Sequence, residues 1–195
     1  MKYKINSDGR IVALKFGPWG KAGTIGGYVG SEHNLSQYGD CWVSGYALVS
    51  GNALVSGNAL ISGNAWVFGN ARVFNNSRVY GNALVSGDAM VSGNAWIFGN
   101  ARVFNNSRVC DDAQVYDNAL VYDNALVYGD AVVSGNAKVY GDARVYGDAL
   151  VFGDALVFGD ALVFGDAQVY GTMKITQYFS CSVNIEEISD ELMVL

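Results

Sequence analysis

From Val43 to Ile175 every sixth residue is Val or Ile, twenty-three times in succession with no insertion or deletion. A fixed short period constrains a chain more than its composition does, because each repeat must bury its apolar side chain against identical neighbours on either side. The unit reads Val-Ser/Phe/Tyr-Gly-Asn/Asp-Ala-x, as in Val55-Ser56-Gly57-Asn58-Ala59-Leu60. Within it Ala-x-Val-x alternates like a short strand, and Gly-Asn/Asp supplies a corner. Ala and Val then point inward, and the residues flanking Val point outward.

The exceptions keep the same logic. Asn75, Asn105, Asp111, Asp117 and Asp123 replace the corner Gly with other residues that tolerate a left-handed backbone. Ser77, Ser107 and Cys41 replace the inward Ala with side chains of nearly the same size. The pattern predicts an all-β solenoid of stacked strands over residues 43–175, its core a column of Val. Each Val or Ile contributes roughly 1.5–3 kcal/mol on full burial. A stack has open strand edges at both ends. Residues 1–42 and 176–195, where the period fails, are the expected N-terminal and C-terminal caps. Lys4 to Ile11 reads as a hairpin, and Ile185 to Leu195 as a short amphipathic helix or a strand-like flap.

The hexapeptide period, with an aliphatic first position and a small fifth one, resembles the hexapeptide-repeat family. The leader extends the likeness: Lys21 to Val29, then Asn34-Leu35-Ser36, then Gly39-Asp40-Cys41-Trp42-Val43, is similar to prophage-encoded and enterobacterial members usually labelled transferases. The resemblance implies a left-handed parallel β-helix of triangular, eighteen-residue coils, between seven and eight of them and about 35 Å long at ~4.8 Å per coil. It also implies a phage origin and, by analogy of fold, acyl transfer. Fold alone does not settle function.

Chemistry is sparse. Hexapeptide acyltransferases use a coil His as general base and an inserted loop to hold the acyl donor. Here the one histidine, His33, lies in the leader, and the coils carry no insertion. Cys41, Cys110 and Cys181 have no metal-ligand spacing and, being odd in number, read as reduced thiols. No catalytic residue, cofactor or metal is expected. A net charge of −6 disfavours direct nucleic-acid binding. Gly-Asn or Gly-Asp interrupts every apolar run before it could span a membrane, and no secretory signal opens the chain. A cytoplasmic protein of a bacterial host, without membrane contact, is the expectation.

With eighteen residues per coil, one face aligns Leu54, Arg72, Met90, Arg108, Leu126, Arg144 and Leu162, a cation on every second coil. Beside them run Phe74, Tyr128, Tyr146 and Phe164. Arg72, Phe74, Arg108, Arg144 and Tyr146 form a candidate binding face, since Arg beside aromatics grips anionic or planar ligands. The adjoining corner stacks Asp112, Asp130, Asp148 and Asp166 as an acidic ladder. The bland alternative has these Arg residues only offsetting that ladder. In the coil from Asp148 to Asp166, Leu150/Phe152, Leu156/Phe158 and Leu162/Phe164 make all three faces greasy, an expected self-association surface unless the side chains zip vertically with their neighbours.

The reading is a non-catalytic structural or protein-interaction solenoid, acidic, homo-oligomeric and with an unknown protein partner. One alternative is a divergent acyltransferase whose His33 meets a neighbour's coil at a subunit interface. Another is an acidic nucleic-acid mimic that inhibits a DNA-binding enzyme.

Overall fold

A computed structural model describes residues 1–179; the segment from Ile185 to Leu195, and with it most of the expected C-terminal cap, lies outside the described residues. The hexapeptides become twenty-three two-residue strands, from Trp42–Val43 to Lys174–Ile175. Up to Leu156–Val157, each pairs in parallel with the strand eighteen residues on, as in Trp42↔Leu60 and Val43↔Ile61, or Arg78↔Trp96 and Val79↔Ile97, whereas Leu162–Val163 pairs with Tyr178–Phe179, only sixteen on. Three hexapeptides therefore close one coil, and the stack is a β-solenoid with three sheets. Face one runs from Leu48–Val49 to Lys174–Ile175, face two from Leu54–Val55 to Tyr178–Phe179, and face three from Trp42–Val43 to Gln168–Val169. No α-helix occurs among the described residues.

The inward columns are the Val and Ala of the repeat, fully buried in coil after coil. Ser77 and Ser107 take the Ala place without leaving a buried hydroxyl unpaired, because each donates to a carbonyl three residues back, Phe74 and Phe104, at 2.8 Å. In the last coil Met173 occupies the position that Ala holds elsewhere and packs on the core. The corners bend as the residue types require. Asn75, Asn105, Asp111, Asp117 and Asp123 adopt φ between 58° and 61°, alongside the corner glycines.

The leader builds the closed end. Strand β1 (Tyr3–Ile5) and strand β2 (Arg10–Ala13) form the expected hairpin, with Tyr3 opposite Ala13 and Ile5 opposite Ile11. Strand β3 (Ile25–Val29) pairs antiparallel with β2 and parallel with the first strand of face one, Val29 lying against Val49. Leu35 then bridges to Val55 on face two. The leader thus winds an irregular coil of its own, twenty residues ahead of its partners rather than eighteen. Side chains seal it. Lys2 is buried, its Nζ donating to the Cys41 carbonyl at 2.8 Å and facing Trp19, which stacks on Trp42. Asn34 donates to the Gly51 and Ala53 carbonyls at 2.9 and 2.8 Å, satisfying acceptors on the open edge of the second coil.

Candidate functional site

The outward columns are where this molecule differs from coil to coil. On face two the register places Arg72, Met90, Arg108, Leu126, Arg144 and Leu162 in one line, as the eighteen-residue spacing predicts. Arg72, Arg108 and Arg144 are exposed. Behind them Tyr128, Tyr146 and Phe164 stack with ring centroids 4.8 and 5.3 Å apart. Tyr146 belongs to that stack; Phe74 stands at the other end of the face, half-buried. Burial, helped by Tyr146 and opposed by Arg144, pushes the Tyr128 phenol above its ordinary pKa. Tyr146 stands between Arg144 and Asp148, and Cys110 between Arg108 and Asp112, and no ion pair joins Arg to a ladder carboxylate among the described residues.

Two further aromatic columns emerge from the structure. Face one carries a four-ring stack, Phe104, Tyr122, Tyr140 and Phe158, at 5.0, 4.9 and 5.2 Å. On face three Tyr80, Phe98 and Tyr116 stack at 5.0 and 4.7 Å, while Arg78 lies 5.1 Å from the Trp96 ring centroid. Both were present in the sequence as aromatic residues eighteen apart, a signal visible only once the coil length is known.

The corners are hydrogen-bonded ladders. Between faces three and one, Asn64 donates to Asn82, Asn82 to Asn100, Asn100 to Asn118, Asn118 to Asn136, and Asn136 to Asp154, at 2.9–3.1 Å. Each amide nitrogen donates toward the C-terminal end, so an Asp accepts from the coil before it but cannot pass a bond on. Between faces two and three the chain of bonds runs Asn58, Asn76, Asn94 and stops at Asp112, which accepts at 2.9 Å. Asp130, Asp148 and Asp166 continue the column as exposed carboxylates. Asp111 and Asp117, one residue before their corner positions, accept instead from the Gly129 and Gly135 amides at 3.3 Å. No group of three His, Cys, Asp or Glu converges as a metal site among the described residues.

The apolar coil is less open than its composition suggests. Leu150, Leu156, Phe158, Leu162 and Phe164 are half-buried, Phe158 and Phe164 beneath the rings of the preceding coil. Phe152 stacks on Tyr170 and remains 37% exposed. The larger exposed apolar side chains of the coils stand nearer the N-terminal end: Leu54, Leu60, Trp66, Phe68 and Trp96. Trp66 and Trp96 are equivalent residues of two nearly identical segments, Asn64–Val79 and Asn94–Val109, and fall on faces one and three.

His33 sits in a short 3₁₀ turn, Glu32–Asn34, of the leader. Its Nδ1 lies 2.6 Å from the Ser31 hydroxyl and its Nε2 3.1 Å from the Gly51 carbonyl. With a polar partner at each ring nitrogen, the imidazole is fastened to the coil edge. Cys41 is buried in the cap. Burial, with Asp111 adding and Arg108 opposing, raises the Cys110 thiol pKa, which leaves it a poor nucleophile.

Short strands, one corner per hexapeptide and uninterrupted outward columns define the class: a repeat β-solenoid. Comparison with known proteins agrees. The family model described as "YdcK Beta solenoid repeat" matches at residues 47–63, 77–93, 95–111, 113–127, 121–135, 137–153 and 143–157. The chain is a β-solenoid built of six-residue repeats. Among solved structures, it is similar to a hexapeptide transferase family protein from Anaplasma phagocytophilum (15% identity, 70% of this chain and 80% of that one, TM-score 0.45). LpxA from Acinetobacter baumannii is also similar (12% identity, 81% of this chain and 69% of that one, TM-score 0.38). No curated protein matches in sequence. No helix among the described residues is long and apolar enough to cross a membrane.

Proposed function

We propose that this protein is a non-catalytic, self-associating scaffold that presents straight, regularly spaced faces to protein partners. The observation that carries this reading is the continuity of the outward columns. Side chains that flank the core Val are spent on stacking along the rod, as in the four-ring column from Phe104 to Phe158. The corners are spent on amide ladders such as that from Asn64 to Asp154. Such a surface is rigid and presents binding groups at one-coil intervals, which suits recognition of an extended or repeating partner. The Arg72, Arg108 and Arg144 line with Tyr146 is the candidate docking face for a partner of opposite charge. Fastening of both His33 ring nitrogens in the cap supports a structural role for that residue as well.

Light scattering coupled to gel filtration tests the self-association: an assembly larger than one chain is expected at micromolar concentration, and a monomer refutes it. Capture from lysate on immobilised protein, compared with the triple variant Arg72→Glu/Arg108→Glu/Arg144→Glu, tests the partner face. Equal capture of the same species by both proteins removes that face.

A further inference from the structure

Charge is divided along the rod. Residues 1–110 contain nine Lys and Arg against four Asp and Glu, whereas residues 111–179 contain three against ten. The division is abrupt. Arg72, Arg78, Arg102 and Arg108 ring the middle coils, and the acid of the coils then begins in earnest at Asp111. Two copies lying side by side in the same direction bring acidic half against acidic half. Reversing one copy sets each acidic half against a basic one.

Face three is the face built for that contact. Its leading column reads Leu60, Arg78, Trp96, Gln114, Val132 and Leu150, in register through the sheet. Leu60 and Trp96 are among the exposed large apolar residues, and so is Phe152 of the neighbouring column. The Asp112, Asp130, Asp148 and Asp166 ladder borders this same face, two residues before Gln114, Val132, Leu150 and Gln168. A basic, aromatic half and an acid-edged, aliphatic half therefore occupy opposite ends of one surface. Trp and Arg are the side chains that most often anchor protein interfaces.

We infer that face three docks on face three of a second copy, antiparallel, about a two-fold axis passing near Gln114. This deepens the self-association proposed above and rests on it. Trp96 and Val132 lie one coil to either side of Gln114, so the axis sets Trp96 of each copy over the partner's Val132. Arg78 and Leu150 lie two coils to either side, so Arg78 meets the partner's Leu150 and the Asp148 carboxylate beside it. Each contact is made twice, and the assembly closes as a dimer. Within one chain Arg78 and Asp148 are nearly four coils apart, about 19 Å at the strand spacing.

That separation makes a charge swap diagnostic. Sedimentation equilibrium on Arg78→Glu, Asp148→Arg and the double variant, at about 20 mM and about 500 mM NaCl, reads the dimer dissociation constant under weak and strong screening. Each single variant is expected to weaken the dimer by roughly tenfold or more at low salt, and the double variant to restore it to within about threefold, because each reversed charge again meets its opposite. Wild-type affinity falls as salt rises. Circular dichroism melting of each variant confirms the fold. An assembly that tightens with salt, ignores the single swaps, or is not rescued by the double swap overturns the antiparallel dimer while leaving self-association standing. A monomeric wild type overturns both.

Discussion

Replacing Asp130 by Asn should stabilise the protein, although it touches nothing but solvent-exposed corner atoms. Asp130 lies between Asp112 and Asp148 in consecutive coils, and stacked strands are about 4.8 Å apart. Two unit charges at about 5 Å in water repel by about 0.8 kcal/mol, so two neighbours cost about 1.6 kcal/mol before screening. At physiological salt the Debye length of about 8 Å reduces that to about 0.9 kcal/mol, and at 1 M salt to about 0.3 kcal/mol. The amide also gains the directional bond that Asn94 makes to Asp112 at 2.9 Å, here from Asn at 130 to Asp148, contributing about 0.5–1 kcal/mol. The expected gain is therefore about 2–2.5 kcal/mol in dilute buffer, or roughly 4–10 °C in melting temperature for a chain of this length. At high salt about half of it remains. The reciprocal change, Asn94→Asp, breaks an existing bond and adds a fifth stacked carboxylate, but with one charged neighbour, Asp112, instead of two, so it should destabilise by a smaller amount, about 1.3–1.8 kcal/mol in dilute buffer. Urea titrations of both variants at low and high salt measure the effect. Equal stability of Asp130→Asn and wild type in dilute buffer, or a gain that does not shrink with salt, refutes the ladder argument.

Ala at Gly93 and Ala at Gly165 both incur the left-handed penalty of roughly 1–2 kcal/mol, because φ is 68° and 64° at these corners. The Cβ at residue 93 would also come 2.6 Å from the Asp111 amide nitrogen, whereas no described residue stands within 4 Å at residue 165, so urea unfolding should show the larger loss for Gly93→Ala. Tyr3 is held neutral to about pH 12 by burial first, then by Glu32 and Cys41. The unfolded phenol ionises near its ordinary value of 10.0, so the folded state binds the extra proton and stability falls as pH rises from 10 toward 12. Tyr3→Phe should be flatter over that window in thermal melts. Cys110, its thiol pKa raised by burial and by Asp111, should react with iodoacetamide in the native protein far more slowly at pH 8 than the same thiol in urea.

The winding was legible because one side chain in six is compelled to be Val or Ile, and the corner because only Gly, Asn and Asp accept its backbone. Every non-Gly residue singled out from sequence at that corner, from Asn75 to Asp123, does adopt positive φ. The leader's coil was not legible. Val29 and Leu35 keep the six-residue step, but Val43 follows after eight, and that slip hides the register that pairs Val29 with Val49 and bridges Leu35 to Val55. Asn at the corners was understood only as a turn former. Its second role, donating to the next coil, depends on knowing that residues eighteen apart are neighbours. Apolar bulk around Leu150 to Phe164 overstated exposure, since aromatic rings spaced at one coil cover one another.

Ladder bonding does not by itself account for where the acid lies. Since each corner amide donates toward the C-terminal end, the cheapest place for an Asp is the last rung, as at Asp154, where accepting is the only task left. Between faces two and three, four Asp follow one another and forgo three such bonds while placing like charges a coil apart. The Asn column on the opposite edge of face three, unbroken from Asn64 to Asn136, shows that the backbone accepts amides at this position in coil after coil. The acidic run is therefore a surface property carried at some cost to the isolated chain. A partner surface bearing Arg78 and its neighbours would relieve that cost on assembly, which ties the placement of these carboxylates to the face they border rather than to the turn they help to make.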